Sequence, residues 1–166
     1  MKALDQLFIN FRDFGFDGHA YRWVDIKRFG LSRPVAADED LLKDLIGHEH
    51  YRDDYAGGGV EAGGERHGPY WLRNVGPDAF AAISETEASA VLRDWANRFG
   101  ALPDPLAARL EREVHPLVRG ATVRYRLQDL GVEAFHDWGG VHGEFHELVL
   151  LDRQAATLSL LVAADD

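Results

Sequence analysis

The chain has 166 residues, of which 46% are hydrophobic and 28% charged, and these values are typical of one folded domain rather than a disordered chain. It contains no cysteine, which excludes disulfides, thiol nucleophiles and thiolate metal sites. The formal net charge is −10 and there are only three lysines, so nucleic acid, which requires clustered Lys and Arg, is not an expected partner. No apolar run approaches the roughly 20 residues of a membrane span, and no signal-peptide pattern is found, so we expect a cytoplasmic protein with no membrane partner.

The first fifty residues are predicted to contain two helices. Apolar residues at helical spacing predict an amphipathic helix over residues 3–14, ended by Gly15 and Gly18. The stretch 21–29 fits neither the helical nor the strand period, and its structure is left open. Asp38 is predicted to cap a second helix over residues 39–46. The apolar positions used for the two helices are Leu4, Leu7, Phe8, Phe11, Phe14, Leu41, Leu42 and Leu45.

A glycine-rich segment near residues 53–68 interrupts the pattern. Five glycines lie between positions 57 and 64, which makes this backbone costly to order. A phosphate-binding loop would need a preceding strand, a following helix and a terminal Lys, Ser or Thr, whereas Glu61 and Glu65 would repel phosphate. We therefore predict a mobile surface loop, with a ligand lid as the alternative.

Two helices are predicted in the middle of the chain, after a short strand over residues 70–75. Ser84 and Glu87 form a capping-box pattern at the start of the first helix. Asp104 and Pro105 begin the second. Because few residues separate them, the two are predicted to form a helical hairpin near residues 85–118.

After Gly120 the apolar period changes from that of a helix to that of a strand. Strands are predicted at residues 123–127 and 132–136, and a hairpin at 144–151 and 157–164. The expected fold is a single α+β domain, in which about four helices pack on one face of a small, mainly antiparallel, C-terminal sheet.

The segment from residue 136 to residue 147 contains the highest density of groups capable of chemistry. Three histidines and three acids occur in these twelve residues: His136, Asp137, His142, Glu144, His146 and Glu147. Histidine titrates near neutral pH and ligates metals, so one interpretation is a metal site formed by His136, His142, Glu144 and His146. On an extended strand, however, His142 and His146 lie about 13 Å apart. The favoured interpretation is therefore the polar face of a strand, with no metal.

A second histidine pair, His48 and His50, follows Gly47. If the helix ends there, an extended backbone places both rings on one side, near Asp53 and Asp54. If the helix continues, the rings point about 200° apart and form no site. A solvated helix end is the favoured interpretation.

No catalytic motif is found. The four serines include no nucleophile elbow, no cofactor loop is recognisable, and no cofactor is expected. Residues 121–166 hold 3 basic and 8 acidic side chains and form the most acidic part of the chain. The favoured hypothesis is a non-enzymatic acidic binding protein that engages a basic protein partner, of which an immunity protein is one instance.

Two sets of residues accompany the functional hypotheses. The predicted binding residues are Asp137, Trp138, Glu144 and Glu147, because exposed tryptophan is a frequent interaction anchor. The alternative is a small metal-dependent enzyme, such as a hydrolase, that uses the His/Glu cluster of residues 136–147. The oligomeric state is left open.

Overall fold

The computed structural model describes residues 1–15 and 21–166. Its strands are β1 (Lys2–Asn10), β2 (Arg22–Gly30), β3 (Arg66–His67), β4 (Tyr70–Trp71), β5 (Phe80–Ile83), β6 (Val123–Leu127), β7 (Phe145–Asp152) and β8 (Thr157–Asp165). Its α-helices are α1 (Asp38–Gly47), α2 (Glu85–Ala96), α3 (Asp104–Glu113) and α4 (His115–Gly120). The fold is a single-domain α+β fold, as predicted.

The main sheet has six strands in the order β1-β2-β8-β7-β6-β5, and every neighbouring pair is antiparallel. The N-terminal strands β1 and β2 extend the sheet beyond the predicted C-terminal hairpin β7–β8. The predicted confinement of the sheet to the C-terminal part is therefore wrong, although its antiparallel character is confirmed.

Helices cover both faces of this sheet. Successive strand residues point to opposite faces, so β2, β7 and β8 each contribute to two cores. On the α2–α4 face, the buried strand residues are Ile9, Val24, Ile26, Leu148, Leu150, Leu161 and Ala163. On the α1 face, they include Phe29, Val149, Leu151, Leu158 and Leu160. The prediction of helices on one face only is thus wrong, because α1 packs on the side opposite to the other helices.

The predicted helix over residues 3–14 is also wrong, because residues 2–10 form the edge strand β1. Leu7 and Ile9 face the α2–α4 core, while Phe8 lies on the opposite side and is 51% exposed. Pairing along nearly all of β2 overrides the local helical spacing. Gly18, which was expected to help end that helix, lies outside the described residues.

The predicted helical hairpin near 85–118 is met only in part. Three helices have ten residues or more, and the second arm of the hairpin breaks into α3 and the six-residue α4. Pro116, near the start of α4, has no N–H with which to continue the α3 hydrogen-bond ladder. Arg93 of α2 is linked to Glu111 of α3 by an ion pair of 2.8 Å.

The remaining elements agree with the sequence to different degrees. The strand at 123–127 and the hairpin of β7 and β8 match their predicted positions. The predicted strand over residues 132–136 is instead a short 3₁₀ helix, Val132–Ala134. The strand expected over residues 70–75 shortens to the two residues of β4. No helix in the described part of the chain is long and apolar enough to cross a membrane.

The start of α1 differs from the prediction in one detail. The helix spans the expected residues, but its N-cap is Ala37, and Asp38 caps nothing. The Asp38 carboxylate instead accepts hydrogen bonds from Tyr125 and Arg153 and so holds α1 to the sheet.

Replacement of Ser84 by alanine tests the capping box at the start of α2. The Ser84 hydroxyl accepts from the Glu87 N–H (3.1 Å), and the Glu87 carboxylate accepts from the Ser84 N–H (3.0 Å). Ser84→Ala should lower the free energy of unfolding by about 1 kcal/mol, measured by urea denaturation. Thr86→Ala is the matched control and should cause no loss, since Thr86 is not the cap and alanine favours the helix more than threonine does; an equal loss in both variants would contradict the assignment.

Candidate functional site

The segment 136–142, which we call the Trp138 loop, is held through His136 to the segment that contains Gly68 and Pro69. This histidine is buried, and its Nε2 donates to the carbonyl oxygen of Gly68 (2.7 Å). Its Nδ1 accepts from the backbone N–H of Trp138 (2.9 Å). Its own backbone N–H donates to the carbonyl oxygen of Pro69 (3.0 Å). Both ring nitrogens are therefore occupied by protein groups, and His136 serves as a structural bridge.

Close packing at Gly139 fixes the loop further. A side chain at Gly139 would collide with the carbonyl oxygen of Pro69 and with the Phe135 ring, so only glycine fits. The backbone is thus pressed against the body of the protein, while the side chains on either side face solvent. Trp138 is 58% exposed and Val141 is 41% exposed.

Three acidic residues lie within the Trp138 loop or close to its His142. Asp137 is strongly exposed and lies 3.8 Å from Arg66, which also lies 3.7 Å from Asp54. Nearby, His142 Nε2 donates to the carbonyl oxygen of Asp54 (2.9 Å), and its Nδ1 lies 3.9 Å from the carboxylate of Asp166. We call the set Asp54, Asp137, Trp138, Val141 and Asp166 the Trp138 surface.

The two predicted glutamates have different environments from those expected. Glu144 is partly exposed and forms ion pairs with Arg22 (2.9 Å) and Arg98 (2.6 Å). Burial opposes ionisation of Glu144, but hydrogen bonds from Arg98 and His146 outweigh it, and its pKa lies below the ordinary value. Glu147 is 1% exposed, so its prediction as a surface binding residue is wrong.

The predicted histidine cluster does not converge. His136 and His142 bond to backbone groups, and His146 lies against Glu144 and Arg126. No group of three or more His, Asp or Glu among residues 1–15 and 21–166 is arranged to hold a metal ion. The polar strand face expected here is met in part: Glu144 and His146 are partly exposed and hydrogen-bonded to each other at the start of β7, whereas His142 bonds to Asp54. From Glu147 to Leu151 the strand is buried on both sides.

The second pair, His48 and His50, follows the end of α1 at Gly47. His48 Nδ1 accepts from the His50 backbone N–H (3.1 Å) and so begins a short 3₁₀ helix, Glu49–Tyr51. The two rings pack edge to face against each other and against Phe29. Burial and the neighbouring His50 lower the pKa of His48. This geometry is a capped turn rather than an extended ligand pair.

The sequence reasoning missed a buried network of charges on the α1 face of the sheet. Lys27 of β2 is 1% exposed, and its Nζ lies 2.7 Å from Asp53 and 3.2 Å from the Tyr55 hydroxyl. Asp25 lies 3.9 Å from the same Nζ and accepts from the Gln6 side chain. The available signal was weak: Asp25 and Lys27 alternate with Val24 and Ile26, but the apolar Trp23 and Phe29 fall on the same face as the two charges.

A second part of this network centres on Glu147 of β7. Its carboxylate accepts from the Tyr51 hydroxyl (2.8 Å) and pairs with His67 Nε2. His67 Nδ1 donates to the carbonyl oxygen of Tyr51 (2.5 Å), and the two rings stack with their centroids 3.5 Å apart. Because a carbonyl only accepts, Nδ1 carries a proton.

This network joins the sheet to the segment 49–68 and offers no reaction site. Tyr51, His67 and Glu147 are at most 1% exposed, so a substrate cannot reach them. Burial, followed by the charge of Glu147, raises the pKa of Tyr51, which keeps its phenol protonated. The exposed glycines 57–59 lie between the two buried residues Asp53 and His67. Mobility of the glycine-rich segment near 53–68 stays a prediction.

Comparison with known proteins gives little further information. No protein-family model matches the chain, and no curated protein matches it in sequence. A crystal structure of citrus MAF1 is similar over 92% of this chain and 96% of that one, with 10% identity and a TM-score of 0.40. A similarity at this level says nothing about function.

Replacement of Lys27 by methionine tests the buried ion pair. Lys27→Met leaves the Asp53 carboxylate buried without its partner, and should lower the free energy of unfolding by about 3–5 kcal/mol. Lys43→Met removes the exposed pair with Glu39 and is the matched control, for which the urea midpoint should not change. The double variant Lys27→Met/Asp53→Leu should recover much of the loss; an unchanged midpoint in Lys27→Met would contradict the assignment.

Asp25 gives a prediction about pH. Burial raises its pKa above the ordinary value, against hydrogen bonding from Gln6 and attraction to Lys27, and one of its carboxylate oxygens has no hydrogen-bond partner in the described residues. The pKa of Asp25 is higher in the folded protein than its ordinary value of 3.8, which we take for the unfolded chain. The free energy of unfolding therefore falls as the pH rises from 3.8 through the pKa of the folded protein. Asp25→Asn should therefore be more stable than the parent protein at pH 7, and the gain should disappear in acid. Denaturation at several pH values measures this; a gain independent of pH would contradict it.

Proposed function

We propose that the protein is a non-enzymatic binding protein that engages a basic protein partner through the Trp138 surface. The observation that carries the proposal is an exposed tryptophan on a backbone held in one conformation. Trp138 donates its backbone N–H to His136, and Gly139 is packed against Pro69, while the indole itself is 58% exposed.

Such a residue suits recognition because little conformational freedom is lost when it binds. A fixed aromatic anchor avoids the entropic cost of ordering a loop in the complex. Tryptophan is among the residues that most often carry the binding energy of an interface, and hydrophobic surroundings such as Val141 enlarge the apolar contact.

Charge supports a basic partner. The net charge of −10 gives a long-range attraction for cations, Asp137 precedes Trp138 in the chain, and Asp166 lies 3.9 Å from His142 at the end of the loop. Arg66 offsets part of the charge of Asp54 and Asp137. Glu144 contributes less to the field, because Arg22 and Arg98 neutralise it. An immunity protein that neutralises a basic toxin would be one protein of this class.

The metal-dependent enzyme is not favoured. His136, His142, Glu144 and His146 each have protein partners and do not share a ligand position in the described residues. His67 and Glu147 are side chains of the kinds that serve in acid–base catalysis, but both are buried and a substrate cannot reach them.

Trp138→Ala is the decisive variant. Proteins retained by the immobilised chain from lysate of its source would be identified, and the retained partner would be purified for kinetic measurement. We expect a basic partner, an association rate that falls at least about tenfold between roughly 20 and 150 mM salt, and a Kd raised about 30-fold or more by Trp138→Ala.

The matched control is Val35→Ala, which truncates an apolar side chain that is 93% exposed and precedes α1. It should bind as the parent protein does. An acidic partner, a salt-independent association rate, or equal affinity of Trp138→Ala would each overturn the proposal.

A further inference from the structure

A small cavity lies beside the C-terminal end of β6 and the N-terminal end of β7. Its volume is about 240 Å³, and its apolar wall includes Leu127, Phe135 and Phe145. Its polar lining includes Arg126, His142 and His146. Sites for drug-sized ligands span roughly 300–1,000 Å³, so this cavity suits a smaller molecule with one ring.

Arg126 is unusual among the arginines of this acidic protein. The partly buried arginines Arg66, Arg109, Arg124 and Arg153 each lie against a carboxylate. Arg126 is also partly buried, but it has no carboxylate partner among the described residues. Its recorded partner is the Nδ1 atom of His146 at 3.3 Å. Arg52 likewise lacks a carboxylate, but its guanidinium is engaged by the carbonyl oxygen of Gly64 (2.6 Å).

The Arg126–His146 contact fixes the charge of the site. A guanidinium only donates, so His146 Nδ1 must present its lone pair, and the ring proton lies on Nε2, which donates to Glu144 (3.2 Å). His146 is therefore neutral and does not balance any anion. The Arg126 guanidinium keeps further N–H groups for a second acceptor, in the fork that suits a carboxylate.

A carboxylate in the lining limits the charge that the cavity accepts. Asp129 also lines it, and one of its oxygens accepts from the backbone N–H of Gly131 (2.9 Å). A second negative charge on the ligand would be repelled by this carboxylate. A ligand with a single carboxylate and an apolar ring fits both walls.

We propose that this cavity binds a small aromatic monocarboxylate, with the carboxylate on Arg126 and the ring between Phe135 and Phe145. The cavity adjoins the Trp138 loop at His142, but the proposal does not rest on the proposed protein-binding function, since Trp138 and Asp137 do not line it. A failure of one proposal leaves the other intact.

Titration with phenylacetate, followed by ¹H–¹⁵N NMR of the full chain, tests the proposal. We expect saturable shifts centred on residues 126–129 and 142–146. Phenylacetamide, which has the ring without the charge, and inorganic phosphate, which has charge without the ring, should each bind at least about tenfold more weakly. Arg126→Gln should reduce the affinity for phenylacetate by a similar factor, and Arg126→Lys should restore only part of it.

The matched control is Arg112→Gln, which removes an exposed arginine of α3 and should leave the affinity unchanged. If Arg126→Gln fails to fold, the comparison of phenylacetate with phenylacetamide on the parent protein still decides the matter. Absence of saturable shifts, equal binding of the amide, tighter binding of phosphate, or equal affinity of a folded Arg126→Gln would each overturn the proposal.

Discussion

Charges buried between the sheet and the segment 49–68 organise one whole side of the molecule. Strand β8 lies between β2 and β7, and its Val162 is the register partner of both Asp25 on β2 and Glu147 on β7. The two acids therefore lie on the same face of the sheet, one on each side of β8. Lys27 lies two residues along β2 from Asp25 on that face. Isolated charges in such a position cost several kcal/mol each, and the cost is offset only when they are paired and hydrogen-bonded. The segment 49–68 supplies those partners through Asp53 and His67.

The same network reaches the candidate binding surface through the chain that follows His67. Glu147 fixes His67, and the next two residues, Gly68 and Pro69, present their carbonyl oxygens to His136. His136 then holds the backbone of Trp138. The position of the Trp138 backbone is therefore linked to a buried glutamate of the central sheet through an ion pair, the covalent chain from His67 to Pro69 and the hydrogen bonds of His136.

The sequence predicted the parts of this fold in which local signals and tertiary packing agree. The hairpin of β7 and β8 has long apolar runs joined by a polar turn, and α2 begins with a complete capping box, so both were placed correctly. The strand β1 was misread because its apolar spacing suits a helix, and only pairing with β2 decides between the two. The stretch 21–29 had no clear period because both of its faces are buried and one of them carries Asp25 and Lys27. The main links of the charge network, Lys27 with Asp53 and Tyr51 with Glu147, join residues 26 and 96 positions apart, so no local pattern contains them.

Trp138 is constrained through its main chain and not through its side chain. Its φ and ψ of −108° and 6° are accessible to every ordinary residue, and the group tied to the protein is its N–H. Exchange of the side chain for any residue except proline, which lacks this donor, therefore keeps the hydrogen bond that holds the loop. A lineage of such proteins can thus change which partner it recognises by exchanging one side chain, while selection for stability acts on different residues.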